Sequence, residues 1–349
     1  MTARNLIQEF GSAEAVFREK PENLRKIPRI GEILAANSRT CRLHDAAEKE
    51  VMFMQQHGIE GFCMDDPDYP QRLLDCQDAP VLLFYIGNAD LNAKRIISVV
   101  GTRSSTSYGQ ELIRDFMKDL SEVIPDALIV SGLAYGIDVT AHREAMKNNL
   151  PTVGILAHGL NIIYPDAHRP VAQEMLTNGG LLTEYTANTK PEKGFFLARN
   201  RIIAGISDAT IVVETADKGG SIVTASIANS YNREVCAFPG RTYDTRSKGC
   251  NRLIRQQAAA LITNADDFLE LMNWKAPQKK IHAQQLPIDF GLDEQEKTVY
   301  QIIAKQGDMQ LNELVEKSGM PIQELTGILM ELELRNKVRC LPGSMYHCI

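Results

Sequence analysis

Residues 95–109 read RIISVVGTRSSTSYG, an apolar run that stops at a glycine and gives way to a polar turn. Ile96, Ile97, Val99 and Val100 have the length and composition of a strand buried on both faces. Gly101 ends it and residues 102–106 form the turn. Beyond Gly109, residues Leu112, Ile113, Phe116, Met117 and Leu120 fall at helical spacing. Strand, small-residue turn and helix make the first unit of a doubly wound α/β sheet. Such a turn lies at the carboxyl end of its strand and offers backbone N–H groups to anions.

Three more turns of this kind follow apolar runs. Strands expected over 127–130, 152–156 and 209–214 lead into turns at 131–138, 158–165 and 218–224. Shorter strands are expected at 180–183, 235–238 and 259–262, with a helix over 195–205. Strands alternating with helical segments predict a parallel sheet, which gathers all four turns at one edge. Their hydroxyl donors are Ser104, Ser105, Ser131, Ser221 and Thr224. Small residues let an anion approach the backbone, so four converging turns predict an anionic ligand. The dinucleotide fingerprint G-x-G-x-x-G is absent from the first turn, and no G-x-x-x-x-G-K-[ST] exists. Glu184 and Glu214 end strands near the turns. Each is a candidate acid or base, with capping a helix or pairing with an arginine as the alternative.

The chain of 349 residues, 44% hydrophobic, has room for one large core and two small ones. Residues 1–58 read as short helices around Ile27-Pro28-Arg29-Ile30-Gly31, with a helix expected over 32–40. That turn resembles a helix-hairpin-helix or SAM-like module, and the nearly balanced charge of the segment favours a packing role. Residues 59–274 form the core domain, of which 59–95 read as irregular apart from a strand over 80–86. Residues 275–290 are polar with two prolines and read as a linker. In 291–349, three helical patterns (293–305, 311–317, 321–334) precede a hairpin about residues 342–344, the order of a winged helix-turn-helix.

A net charge of −6 excludes a protein coated in positive charge but leaves room for a local basic groove. Basic side chains recur near the turns: Arg103, His142, Arg143, Arg169, Arg199, Arg201, Arg241, Arg246 and Lys248. As a set they predict a cationic track suited to several successive phosphates. Aromatic residues are only 6% of the chain, too few for many stacking platforms. The seven cysteines show no C-x-x-C pair, which suits reduced thiols in a cytoplasm and no metal site. No stretch of membrane-spanning length and apolarity is present, and the first residues lack the apolar core of a signal peptide.

Six segments in order carry a family resemblance: VGTRSSTSYG, SGLAYGIDVTAHREA, the GLNIIYP turn, FFLARNRIIAGISDATIVVE, GGSIVTASIANSYNREVCAFPG and GCNRLI. Together they resemble the DprA/Smf family. The resemblance implies a Rossmann-like core that binds and protects single-stranded DNA and helps load the recombinase RecA during natural transformation. It also implies homodimers through that core, no required catalysis and no cofactor. DNA-contact positions of the family carry over to Arg103 with its neighbour Ser104, to Gly132, and to Gly220, Ser221 and Thr224. Arg199, Asn200 and Arg201 match its R-N-R motif. After Tyr164-Pro165, where some members place a DNA-binding lysine, this chain has Asp166, and Arg169 one turn on is the candidate substitute.

The segment 321–334 carries Gln323, Glu324, Thr326, Glu331 and Glu333 and no basic residue. A duplex-reading helix presents the opposite charge, so the winged helix is expected to contact protein or regulate the dimer, with duplex binding through Arg335, Lys337 and Arg339 at the wing as the alternative. This weighs against a transcription regulator. An enzyme reading rests on the likeness of GGSIVTA to the G-G-x-G-T-x-x-E loop of nucleotide phosphoribohydrolases. Ala225 stands where that group has its catalytic glutamate.

Overall fold

The computed structural model describes residues 2–27, 30–31, 44–274, 292–341 and 344–348. The chain divides into two compact units, residues 1–275 and 276–349. The first is built on a nine-stranded sheet: β1 (Glu60–Cys63), β2 (Leu82–Gly87), β3 (Ile96–Val100), β4 (Leu128–Ser131), β5 (Thr152–Ile155), β6 (Gly179–Thr183), β7 (Ala209–Val212), β8 (Glu234–Ala237) and β9 (Ala260–Leu261). Their spatial order is β1-β2-β6-β5-β4-β3-β7-β8-β9. From β6 to β9 all neighbours are parallel, with Ile96 opposite Leu128 across β3–β4 and Ile97 opposite Ala209 across β3–β7.

All five residues of β3 are buried, as its unbroken apolar run requires. Ile96 and Val100 join one core with Ile202, Ile203 and Ile206 of the helix Lys193–Ile206. Ile97 and Val99 join the core on the opposite face, with Ile113, Phe116 and Met117 of the helix Ser107–Val123. The chain therefore winds helices onto both faces. It reverses direction at β3: β4, β5 and β6 add on one side, then the helix Lys193–Ile206 carries it across to β7, β8 and β9.

In the segment 59–95 the strand expected over 80–86 is present as β2, but the remainder, expected to be irregular, also forms β1 and a short helix Gln71–Leu74. Both strands run antiparallel to their neighbours, so the sheet is mixed at this edge. The sequence Glu60-Gly61-Phe62-Cys63 conceals β1 because only Phe62 is even half-buried, which leaves no apolar alternation to read.

Helices Thr2–Phe10, Ala13–Arg18 and Pro21–Leu24 enclose a small core of Val16, Leu24 and Ile30. Arg4 ties them to the sheet domain through a hydrogen bond to the Cys76 carbonyl at 2.6 Å. The turn at Pro28 and Arg29 and the helix expected over 32–40 lie outside the described residues. A further helix, His44–His57, is joined to the sheet domain by Glu50, whose carboxylate accepts the Ala187 N–H at 2.8 Å.

In the second unit, helices Glu294–Gln306, Leu311–Ser318 and Ile322–Leu334 pack around Val299, Ile303, Leu314, Leu325, Leu329 and Val338. Asp293 opens the first of them with a reciprocal capping box to Glu296. The wing is a hairpin of β11 (Val338–Leu341) and β12 (Met345–Cys348). The two-residue strand β10 (Met309–Gln310) pairs with β12 as a third member that the sequence pattern did not reveal. Among the described residues, no helix is long and apolar enough to cross a membrane.

Candidate nucleic-acid interface

The reversal at β3 opens a crevice beyond the carboxyl ends of β3 and β7, the position where open α/β sheets hold ligands. A cleft of about 280 Å³ lies there. The turn after β3, the turn after β7 and the helix Lys193–Ile206 line it.

Glu214 holds the first turn. Its carboxylate is 1% exposed and accepts two hydrogen bonds from Thr106, one from the backbone N–H at 2.9 Å and one from Oγ1 at 2.6 Å. Thr106 in turn caps the helix Ser107–Val123 by accepting the Gly109 N–H. Thr102 donates its N–H to the Glu214 carbonyl at 2.7 Å, and its own carbonyl accepts the Ile137 N–H. With both ends fixed, the turn presents Arg103 at its exposed apex. The Arg103 guanidinium lies 5.4 Å from the Phe196 ring centroid and forms no ion pair among the described residues. Ser104 is exposed beside it, its N–H directed to Thr102 Oγ1 at 3.3 Å.

The second turn leads into the helix Gly220–Ser230. Gly219 is its N-cap, no side chain caps it, and its first turn holds no acidic residue. Its opening amides and the positive end of its dipole are left for an anion. A Cβ on Gly220 would meet nothing within 4 Å, so this approach is open. Ser221 is 6% exposed with its Oγ buried and unpartnered. Thr224 is buried below, its hydroxyl 3.4 Å from the Gly220 carbonyl.

Arg199 forms the floor at 4% exposure. Its Nη1 donates to the Gly132 carbonyl at 2.8 Å and to the Ile155 carbonyl, while its buried Nε has no partner. The buried Asp138 acts on it through space, without a direct ion pair. Burial raises the Asp138 carboxyl above its ordinary pKa, and Arg199 opposes that rise along with backbone N–H bonds from Ala134 and Gly132. Burial likewise pulls Arg199 down to about 10, against the pull of Asp138, so the guanidinium stays charged at neutral pH. The cleft thus offers a ligand one exposed cation and helix-start amides, backed by a buried cation and by two buried, unpartnered donors, Ser221 Oγ and Arg199 Nε. That donor set fits a phosphate group.

Of the residues named from sequence, Arg103, Arg199, Asn200, Gly220, Ser221 and Thr224 line this cleft. Ser104 stands on the same turn. Gly132 lies beneath the cleft, where its missing side chain makes room for Arg199. Arg201 is not part of the lining. It pairs with Glu184 and, at 4.0 Å, with Asp78. Arg169 is bound to the Asp166 carboxylate by two bonds of 2.7 and 3.1 Å. His142, counted among the basic side chains, is fully buried and neutral. It donates from Nδ1 to Thr152 Oγ1, whose own hydroxyl donates to the Ile129 carbonyl. Burial holds its pKa near 3. For the two glutamates, the alternative roles apply: Glu214 anchors a helix cap and Glu184 pairs with Arg201.

An aromatic flank was missed. Phe196 lines the cleft, Tyr164 lies 5.7 Å from it ring to ring, and Tyr135 and Tyr164 are each nearly half exposed. The low aromatic content pointed away from stacking, yet one ring, Phe196, lines the cleft and a second, Tyr164, packs against it. The signal was available: Phe196 stands three and four residues before Arg199 and Asn200, on the same helical face. Among the described residues, no cluster of histidine, cysteine or carboxylate side chains is arranged to hold a metal ion.

Residues 61–273 match the family model of DNA recombination-mediator protein A, and residues 283–344 match that of the DprA winged helix domain. The chain is 32% identical to the putative DNA processing protein DprA of Mycobacterium tuberculosis over 335 residues, covering 90% of this chain and 83% of that protein. The X-ray structure of DNA processing protein A from Streptococcus pneumoniae superposes with a TM-score of 0.68 at 33% identity, over 77% of this chain and 92% of that one. The DNA processing protein A of Helicobacter pylori, whose structure is described for its single-stranded DNA binding mode, superposes with a TM-score of 0.56 at 29% identity, over 62% and 98% of the two chains. With a mostly parallel α/β core and a winged helix domain that both match, this chain belongs to the DNA recombination-mediator protein A family.

Proposed function

We propose that the cleft holds the sugar–phosphate backbone of single-stranded DNA, and that the protein protects such strands and loads RecA onto them in natural transformation. The observation that carries the reading is the pairing of an uncapped, acid-free helix start at Gly219–Gly220 with the unpaired, exposed Arg103 across the same cleft. The single-stranded DNA binding named for the Helicobacter pylori relative supports it. Backbone phosphates dock on amides and Arg103, while Phe196 and Tyr164 offer ring faces to bases, which is tolerant of sequence. The site residues are Arg103, Ser104, Arg199, Asn200, Gly220, Ser221 and Thr224, with Gly132 as the platform for Arg199. RecA, a second copy bound through the core, and a cytoplasmic setting complete the proposal.

The enzyme reading finds less support. Ala225 is fully buried, and Glu214 and Glu184 are engaged in structural bonds. Equilibrium binding of an oligothymidylate to Arg103→Glu tests the proposal. A strong loss of affinity in a folded variant is expected, and wild-type affinity would overturn it. Release of free base from AMP by the purified protein would revive the enzyme.

A further inference from the structure

The carboxyl edge of the sheet carries a second groove, of about 700 Å³, on the face of the helix Ser107–Val123. The turn between Gly101 and Thr106 is the wall common to both: Arg103 lines the cleft and Thr106 lines the groove. The far wall is the loop after β8, beginning at Pro239. Residues 241–248, RTYDTRSK, hold three basic side chains and one acidic one.

This loop is fixed at both ends. Gly240 exchanges two hydrogen bonds with the Asn251 amide, at 3.1 and 2.9 Å. The carboxylate of Asp244, which lies in the groove lining, accepts the Arg246 N–H at 3.0 Å and the Ser247 hydroxyl at 3.4 Å. Arg241, Arg246 and Lys248 form no ion pair among the described residues, so their charge is not cancelled locally. Tyr243 stands between the lining residues Arg241 and Asp244, outside the groove lining itself, and is 94% exposed on a pinned loop. Tyr108, which lines the groove, is 42% exposed, and its hydroxyl donates to the Pro239 carbonyl at 2.8 Å. Exposed aromatic faces beside uncompensated cations are the pattern that holds single strands, bases on rings and phosphates on charge.

We propose that this groove holds the next stretch of the strand that occupies the cleft, with Tyr243 and Tyr108 stacking bases and Arg241 meeting the backbone. The proposal rests on the reading of the cleft as a single-strand site. It makes the turn bearing Arg103 a ridge that the strand crosses, and it extends the contact to the opposite face of the sheet.

The test uses the full chain and oligothymidylates of about four and about twenty nucleotides, spanning the usual site sizes, at low salt. Tyr243→Ala combined with Arg241→Ala alters only exposed side chains and leaves the fold intact. We expect the double variant to lose roughly ten-fold or more in affinity for the long strand and to bind the short one as the wild type does. Wild-type affinity for the long strand, or an equal loss on both lengths, would overturn the proposal. Arg103→Glu, run in parallel, reports on the cleft alone. Unchanged binding in that variant sinks the cleft reading whatever the double variant does.

Discussion

The guanidinium of Arg199 fills the space that a side chain on Gly132 would need: a Cβ there would lie 2.4 Å from Arg199 Nη1. Arg199 cannot yield easily, because it is buried and tied to the Gly132 and Ile155 carbonyls. Gly132→Ala is therefore expected to cost about 1–3 kcal/mol of stability, the scale of a disturbed buried polar network. It should also weaken single-strand binding by moving the floor of the cleft. Chemical denaturation and oligothymidylate titration of the same variant check both effects.

The buried His142 makes stability acid-sensitive. Its pKa falls from 6.5 to about 3 on folding, because burial penalises the charged ring. The unfolded chain thus binds a proton that the native state refuses. The stabilisation is full above pH 6.5 and is lost as pH falls from 6.5 toward 3. At pH 5 the loss from this group is about 2 kcal/mol relative to pH 7. A His142→Gln variant should show a correspondingly flatter dependence of the denaturation midpoint on pH between 7 and 5. An unchanged slope would mean that His142 is not held neutral.

Arg103 and Phe196 touch, yet they should fail differently. Removing a phosphate-binding cation lowers the slope of log affinity against log salt by about one, whereas removing a stacking ring lowers affinity at every salt concentration without changing the slope. Arg103→Ala is expected to show the first pattern and Phe196→Ala the second, each with roughly ten-fold weaker binding at low salt. Salt titrations of the two variants distinguish the roles.

Asp166 restrains Arg169. With the carboxylate bound at 2.7 Å, the arginine brings little net charge to a passing strand. Asp166→Asn should tighten binding by about two- to three-fold, in keeping with the modest worth of an exposed pair. Adding Arg169→Ala should remove that gain. Unchanged affinity in Asp166→Asn would place Arg169 away from the strand.

The parallel sheet was legible because β3, β4, β5 and β7 are short apolar runs ended by small residues and alternate with helical segments, whereas the strand order that places the reversal at β3 depends on pairings between distant segments. The edge strand β1 was not legible, since an exposed strand has no apolar period. The cleft was legible as a set of turns but not side chain by side chain. Arg199 and Arg201 stand two residues apart on a helix, about 200° around its axis, so one cleft cannot receive both. The sequence motif presents them as equals, whereas the fold gives Arg199 to the cleft floor and Arg201 to Glu184. Asp138, buried near Arg199, left no mark in a segment that reads as an ordinary helix start. Its charge acts on a residue 61 positions away.

The most direct measurement is a structure of the full chain with a short oligothymidylate. We predict a phosphate within hydrogen-bonding distance of the Gly220 and Ser221 amides and Ser221 Oγ, with the Arg103 guanidinium on the same strand. A strand bound elsewhere, with the cleft between β3 and β7 vacant, would contradict the account.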